Sequence, residues 1–187
     1  MLKKNISILF SGFFLISTFG CNSDAVPKPD GQLRLEYPKP DYVGFENSCP
    51  FAFIINDDAI ITDKGSCNMT ISYPRMKATI YLTYKPVKND IEAHLKDAQK
   101  LTYSHTVKAD DITEQPFLND RNRVYGMFYR VGGNAATNAL FYATDSTRHF
   151  LTGSVYFYAK PNFDSIMPAS DYVKNDMRII METLRWK

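Results

Sequence analysis

Alternating hydrophobic and polar positions recur along most of the chain and predict a strand-rich protein. Residues 68–73 are a clear example, because three apolar side chains alternate with three polar ones. β-Branched and aromatic residues predict further strands at Phe51–Ile55, Ile60–Ile61, Ala78–Tyr84, Thr113–Leu118, Val124–Val131, Ala139–Thr144 and Phe150–Ala159. Pro116 weakens the fourth of these, since proline removes a ladder hydrogen bond. The folded part is expected to begin near Tyr42.

Helical spacing of apolar residues occurs in two further segments. Asn89 is a predicted N-cap followed by acidic residues, and this helix is expected to end near Val107. A second helix is predicted from about Pro168, with Trp186 closing over the core. The predicted order is strands, a helix, a run of hairpin-linked strands and a last helix. This order indicates an α+β fold, as a single domain with a mainly antiparallel sheet and helices packed on its faces. The element order also resembles the PsbP/Mog1 sandwich.

The N-terminal residues have the pattern of an export signal. Two lysines precede a short apolar run from Ile6 to Phe19, and Gly20 stands directly before Cys21. A charged start, a short apolar core and a small residue at the cleavage position indicate a signal peptide over residues 1–20. Gly20-Cys21 resembles a bacterial lipobox, although Thr18 stands where leucine is usual. We therefore expect Cys21 to carry the lipid anchor; the alternative is an ordinary secretory signal with a free cysteine.

The segment after the signal peptide differs in composition from the rest of the chain. Four prolines and a glycine in residues 21–41 favour an extended, polyproline-like chain. Such a segment is expected to act as a tether between a lipidated Cys21 and a globular domain over residues 42–187. No other segment approaches the length of a membrane span, so the acyl group is the expected membrane attachment.

The charge balance argues against nucleic acid as a partner. The full chain has 22 Lys+Arg and 20 Asp+Glu, and the two excess lysines lie in the predicted signal peptide. The mature chain is therefore formally neutral, whereas nucleic-acid binding needs Lys and Arg clustered on one face.

The cysteine count predicts one disulfide. Three cysteines are present, and if Cys21 takes the lipid, Cys49 and Cys67 remain as a pair in an oxidising compartment. The alternative is two free buried thiols. No Cys/His spacing suggests a metal site, and no cofactor is expected.

Candidate catalytic groups are few. Asp145, Ser146 and His149 lie within five residues of each other, which suggests a nucleophilic triad, but the Gly-x-Ser-x-Gly elbow that would expose the serine is absent. A turn between two strands explains the same residues. The adjacent acidic residues at 57–58 and 110–111 are typical of turns. No catalytic residue is therefore expected. Exposed sheet aromatics such as Tyr156 and Tyr158 offer an alternative role in glycan or ligand binding, although aromatic residues more often form the core.

Several strings in one order make the chain resemble the gliding motility lipoprotein GldD family of the Bacteroidetes. They are Pro27–Gly31, Cys49–Phe51, Ser104–Asp110, Gly133–Ala136, Thr144–Phe150 and Glu182–Lys187. The resemblance implies a role in gliding motility and in type IX secretion. It implies no enzymatic activity and no catalytic residue. It also implies Cys21 as the lipid site.

The sequence therefore predicts a non-enzymatic, lipid-anchored envelope protein that faces the periplasm. Its expected contacts are the membrane, through the acyl group, and protein components of the gliding and type IX secretion apparatus. Whether the inner or the outer membrane holds the anchor stays open.

Overall fold

Antiparallel strands build both sheets of the computed structural model, which describes residues 37–104, 109–133, 135–158 and 163–187. The strands are β1 Tyr42–Glu46, β2 Phe51–Asn56, β3 Ile60–Gly65, β4 Asn68–Tyr73, β5 Ala78–Pro86, β6 Ile112–Asn119, β7 Val124–Val131, β8 Ala139–Thr144, β9 His149–Phe157 and β10 Arg185–Trp186. The helices are α1 Ile91–Ser104 and α2 Phe163–Glu182, with a 3₁₀ turn at Pro74–Met76. The described residues belong to one compact unit.

The larger sheet joins two meanders at its centre. Its seven strands lie in the order β3-β4-β5-β9-β8-β7-β6, so β3–β5 form one meander and β6–β9 form the other. Hairpins connect the consecutive strands within each meander. The helix α1 connects β5, near the centre of the sheet, to the edge strand β6. The smaller sheet has the order β1-β2-β10, which brings the C-terminal strand beside β2.

The main core lies between the large sheet on one side and α2 with β2 on the other. Alternate residues of the central strands point into it, among them Ile80 and Leu82 of β5 and Leu151 and Val155 of β9. From the opposite side α2 contributes Val173, Met177 and Ile180, and β2 contributes Phe51 and Phe53. Position 153 of β9 requires glycine, because a Cβ there would lie 2.2 Å from the Phe141 ring.

The second face of the large sheet is covered in part by α1. Phe150 is buried on this face, where its ring stacks on Tyr142 at 5.7 Å and lies 5.3 Å from the His94 ring of α1. Ala98 and Thr102 are the buried residues of that helix. Helices therefore pack on both faces of the antiparallel sheet, and the predicted α+β fold is confirmed. The similarity to PsbP/Mog1 stays an analogy of element order.

Three features differ from the sequence-based expectation. The last helix starts at Phe163 rather than at Pro168, which lies inside it; proline removes one backbone hydrogen bond, and a helix of 20 residues tolerates that loss. β1 and β10 were not predicted, because a strand of five or two residues shows little alternation. Pro116 is accommodated in β6 because β6 is an edge strand.

The predicted signal peptide, Cys21 and most of the tether lie outside the described residues, as does the predicted end of the first helix at Val107. Among the residues that are described, no helix is long and apolar enough to cross a membrane.

Candidate functional site

The loop between β8 and β9 is organised by the carboxylate of Asp145. It accepts hydrogen bonds from the backbone N–H groups of Thr147, Arg148 and His149 at 3.0, 2.7 and 2.8 Å, and from the Thr147 hydroxyl at 3.0 Å. Burial alone would raise the pKa of Asp145, but these hydrogen bonds outweigh it and lower the pKa to about 2. The carboxylate is therefore charged at neutral pH and fixes the backbone of the loop.

His149 is buried beneath the C-terminal strand. Its ring stacks on Trp186 at 5.1 Å between centroids, and its Nδ1 lies 2.9 Å from the Tyr84 hydroxyl. Burial lowers the pKa of His149, which favours the neutral imidazole. Nε2 is buried and has no hydrogen-bond partner among the described residues.

These contacts do not assemble a nucleophilic triad. The Asp145 carboxylate accepts a hydrogen bond from the backbone N–H of His149, whereas the imidazole contacts the Tyr84 hydroxyl. Ser146 has a φ of 68° and donates its backbone N–H to Thr144 Oγ1 at 2.9 Å. Asp145, Ser146 and His149 therefore form a hydrogen-bonded turn between two strands.

The C-terminal strand connects this loop to two other segments of the chain. Trp186 donates its indole N–H to the Arg123 carbonyl at 3.0 Å, and β10 pairs Arg185 with Ala52 of β2. Lys187 donates its backbone N–H to the Pro50 carbonyl at 3.0 Å. Beside Pro50, Cys49 and Cys67 form a disulfide with Cα atoms 5.5 Å apart. Residues far apart in sequence thus meet at one end of the domain.

An open cleft of about 290 Å³ lies at this end, and we call it the basic cleft. Five cationic side chains line it: Arg121, Arg123, Arg148, Arg185 and Lys187. The acidic groups nearby are Asp145, 3.9 Å from Arg148, and Glu46, 3.6 Å from Arg185. Both arginines are exposed, so these two ion pairs hold them only weakly.

A second exposed feature lies on the face of the large sheet that also carries α1. Tyr81, Tyr156 and Tyr158 form the tyrosine cluster, in which the Tyr81 and Tyr158 hydroxyls are 2.5 Å apart and the Tyr81 and Tyr156 rings meet edge to face at 5.6 Å. Tyr158 is 63% exposed. The two tyrosines that the sequence suggested for glycan binding therefore lie together, with Tyr81 as a neighbour.

Comparison with known families adds the remaining observation. The family model described as gliding motility lipoprotein GldD matches residues 22–186, which is nearly the whole chain. The chain belongs to this family. No curated protein matches it. Membership in the GldD family makes the chain a gliding motility lipoprotein of the cell envelope, held at a membrane by its lipid.

Two of the strings that carry the resemblance line the basic cleft of this GldD-family chain, and a third contacts the C-terminal strand. Thr144–Phe150 supplies the Asp145 loop, Glu182–Lys187 supplies the C-terminal strand, and Cys49–Phe51 supplies the segment that β10 contacts. Because the strings are far apart in sequence, their association could not be predicted from spacing. Within the described ranges, no group of three or more His, Cys, Asp or Glu side chains could hold a metal ion.

Proposed function

We propose that this chain is a non-enzymatic, lipid-anchored envelope protein that supports the assembly or stability of the type IX secretion and gliding apparatus. The observation that carries the proposal is the family match over residues 22–186, which covers the segment after Cys21 as well as the globular domain. The acyl group on Cys21 fixes the protein at the membrane on its periplasmic side. The proline-rich tether sets the reach of the domain, and the domain docks a protein component of the apparatus.

The contacts of the Asp145 loop support a non-enzymatic role. In a hydrolase with a Ser-His-Asp triad, the carboxylate orients the imidazole and the imidazole contacts the serine. Here the carboxylate accepts backbone N–H groups and the imidazole is stacked beneath Trp186. A His149→Phe variant keeps an aromatic ring in the stack, so it separates loss of imidazole chemistry from loss of packing.

The test is the abundance of the apparatus in cells. In a strain that lacks the gene, we expect the membrane-associated amounts of the type IX secretion components to fall, as measured by immunoblot of separated membranes. The intact chain and His149→Phe should restore them equally, whereas Cys21→Ala should fail if the anchor is needed. Unchanged amounts in the deletion strain, or restoration by the intact chain but not by a folded His149→Phe protein, would contradict the proposal.

The tyrosine cluster supports a second candidate, a glycan-binding module. Exposed aromatic rings with neighbouring hydroxyl groups can stack on sugar rings and exchange hydrogen bonds with them. Saturable binding of purified envelope polysaccharide, lost in Tyr156→Ala and Tyr158→Ala but retained in Tyr103→Ala on α1, would favour this candidate. Binding that is absent in the intact chain would exclude it.

A further inference from the structure

The basic cleft concentrates positive charge at one end of the domain. The sequence has only two more Lys+Arg than Asp+Glu, yet five of its cationic side chains line this one cleft. Like charges repel one another, so an anion that binds in the cleft relieves this repulsion. Asp145 supplies one negative charge among the residues that line the cleft, against five cations, so the cleft keeps a net positive charge.

The backbones that carry the cations are held in place before any ligand arrives. The Arg123 carbonyl accepts a hydrogen bond from the Trp186 indole. The backbone N–H of Arg148 donates to the Asp145 carboxylate, and that of Lys187 donates to the Pro50 carbonyl. Arg123 itself has a φ of 51°, a left-handed conformation that disfavours a residue with a side chain. The attachment points of these three side chains are therefore fixed, which lowers the conformational entropy lost on binding.

We propose that the basic cleft binds the phosphate group of a phosphomonoester. Four of its five cations are arginines, and the guanidinium fork matches the oxygens of a phosphate with two parallel hydrogen bonds. A phosphomonoester has three such oxygens and a charge of about −1.5 to −2 at neutral pH, so it needs several cations, whereas a carboxylate needs one. The cleft, at about 290 Å³, also has room for a small organic group attached to the phosphate.

The phosphate can come from a soluble metabolite or from the headgroup of a lipid. Both sources present the same group to the arginines, and the experiment below separates them. The inference does not rest on the proposed role in secretion, because it follows from the charge and geometry of the cleft.

Trp186 gives a direct reporter for this site. It is the only tryptophan of the chain and one of the residues that line the cleft. With the full chain in a non-ionic detergent, addition of glycerol phosphate at constant ionic strength should change Trp186 fluorescence in a saturable way, and equal amounts of chloride should not. In the second arm the detergent is removed and the chain is reconstituted into vesicles of phosphatidylcholine with or without phosphatidic acid, which differ only in the phosphomonoester headgroup.

Paired variants decide the outcome. Arg148→Gln and Arg123→Gly should each weaken binding at least tenfold, about the effect of losing one charge-assisted hydrogen bond. Arg123→Gly should fold at least as stably as the wild type, because glycine adopts the left-handed conformation freely. Arg75→Gln, on the 3₁₀ turn outside the cleft, makes the same charge change as Arg148→Gln and should bind normally.

A response to glycerol phosphate without one to phosphatidic acid vesicles would identify a soluble ligand, and a response to the vesicles, with or without one to glycerol phosphate, would identify a lipid headgroup. No response to either probe would overturn the proposal. So would a response that Arg148→Gln and Arg123→Gly leave unchanged.

Discussion

A single buried carboxylate, that of Asp145, determines how the β8–β9 loop presents Arg148 to solvent and His149 to the interior. Asp145 is only 3% exposed, and all of its strong partners lie within the next four residues. The loop is therefore a local structure, which is why the order Asp-Ser-Thr between two strands predicts a turn from sequence alone.

Replacing Asp145 should destabilise the protein in a pH-dependent way. The folded-state pKa is about 2, below the ordinary value of 3.8, so the stabilisation is fully present above about pH 4 and is lost as the pH falls through 2. We expect Asp145→Asn to lower the free energy of unfolding by about 2 kcal/mol at neutral pH, and the difference from the wild type to shrink below about pH 4. Urea denaturation across this pH range measures it.

The matched control for Asp145 is Ser146→Ala in the same loop. Ser146 is exposed, and the hydrogen bond that its backbone N–H donates does not involve its side chain. Its replacement should change stability by less than about 0.5 kcal/mol at any pH. A pH-independent loss in Asp145→Asn would show that the carboxylate charge does not hold the loop.

At the scale of elements, Asp176 connects α2 to the small sheet. It is 2% exposed and accepts hydrogen bonds from the Tyr42 hydroxyl of β1 at 2.6 Å and from the Asn56 amide of β2 at 2.8 Å. Asn56 also donates to the Tyr172 hydroxyl at 2.9 Å. Sequence periodicity gave no sign of this link, because a polar residue within a helical segment is normally assigned to the solvent-exposed side.

Removing the Asp176 carboxylate should destabilise the domain more than removing one of its donors. Asp176→Ala leaves the buried Asn56 amide with one partner fewer and the Tyr42 hydroxyl without its acceptor, and we expect a loss of about 3 kcal/mol or more in the free energy of unfolding. Tyr42→Phe removes one hydrogen bond and should cost about 1 kcal/mol. Equal losses in the two variants, measured by chemical denaturation, would contradict this assignment.

The disulfide joins the loop before β2 to the β3–β4 turn. Its sequence separation is 18 residues, and closing such a loop stabilises a protein by roughly 3 kcal/mol in the loop-entropy model. Reduction should therefore lower the melting temperature of the purified protein by roughly 5–10 °C. A Cys49→Ala/Cys67→Ala double variant should melt at the same temperature with and without reductant. An unchanged wild-type melt, with both thiols free beforehand, would exclude the bridge.

The elements that could be predicted are those with strong local patterns. An alternating or β-branched pattern long enough to be recognised occurs in β4, β5, β7, β8 and β9. Because hairpins link consecutive strands, this order then predicts an antiparallel sheet. The start of α2 was misplaced because Pro168 is also a good first residue for a helix. β10 has only two residues and depends on pairing with β2, which no local pattern encodes.

At the scale of the whole molecule, the basic cleft is the feature that sequence reasoning missed. Formal neutrality predicted a mixed surface, but the fold gathers Arg121 and Arg123, Arg148, and Arg185 and Lys187 from three separate segments. A charge count cannot show such clustering, because it carries no information on which segments meet. Family membership, in contrast, could be predicted, since it depends on strings in the sequence rather than on their contacts.

The proposed role in the cell also belongs to the whole molecule, since the proposal involves the lipid, the tether and the domain together. The measurement that tests it most directly is the amount of adhesin delivered to the cell surface, with colony spreading, in a strain that lacks the gene. We expect both to be lost, and both to be restored by the intact chain. Normal adhesin delivery and normal spreading in the deletion strain would contradict the proposed role in type IX secretion and gliding.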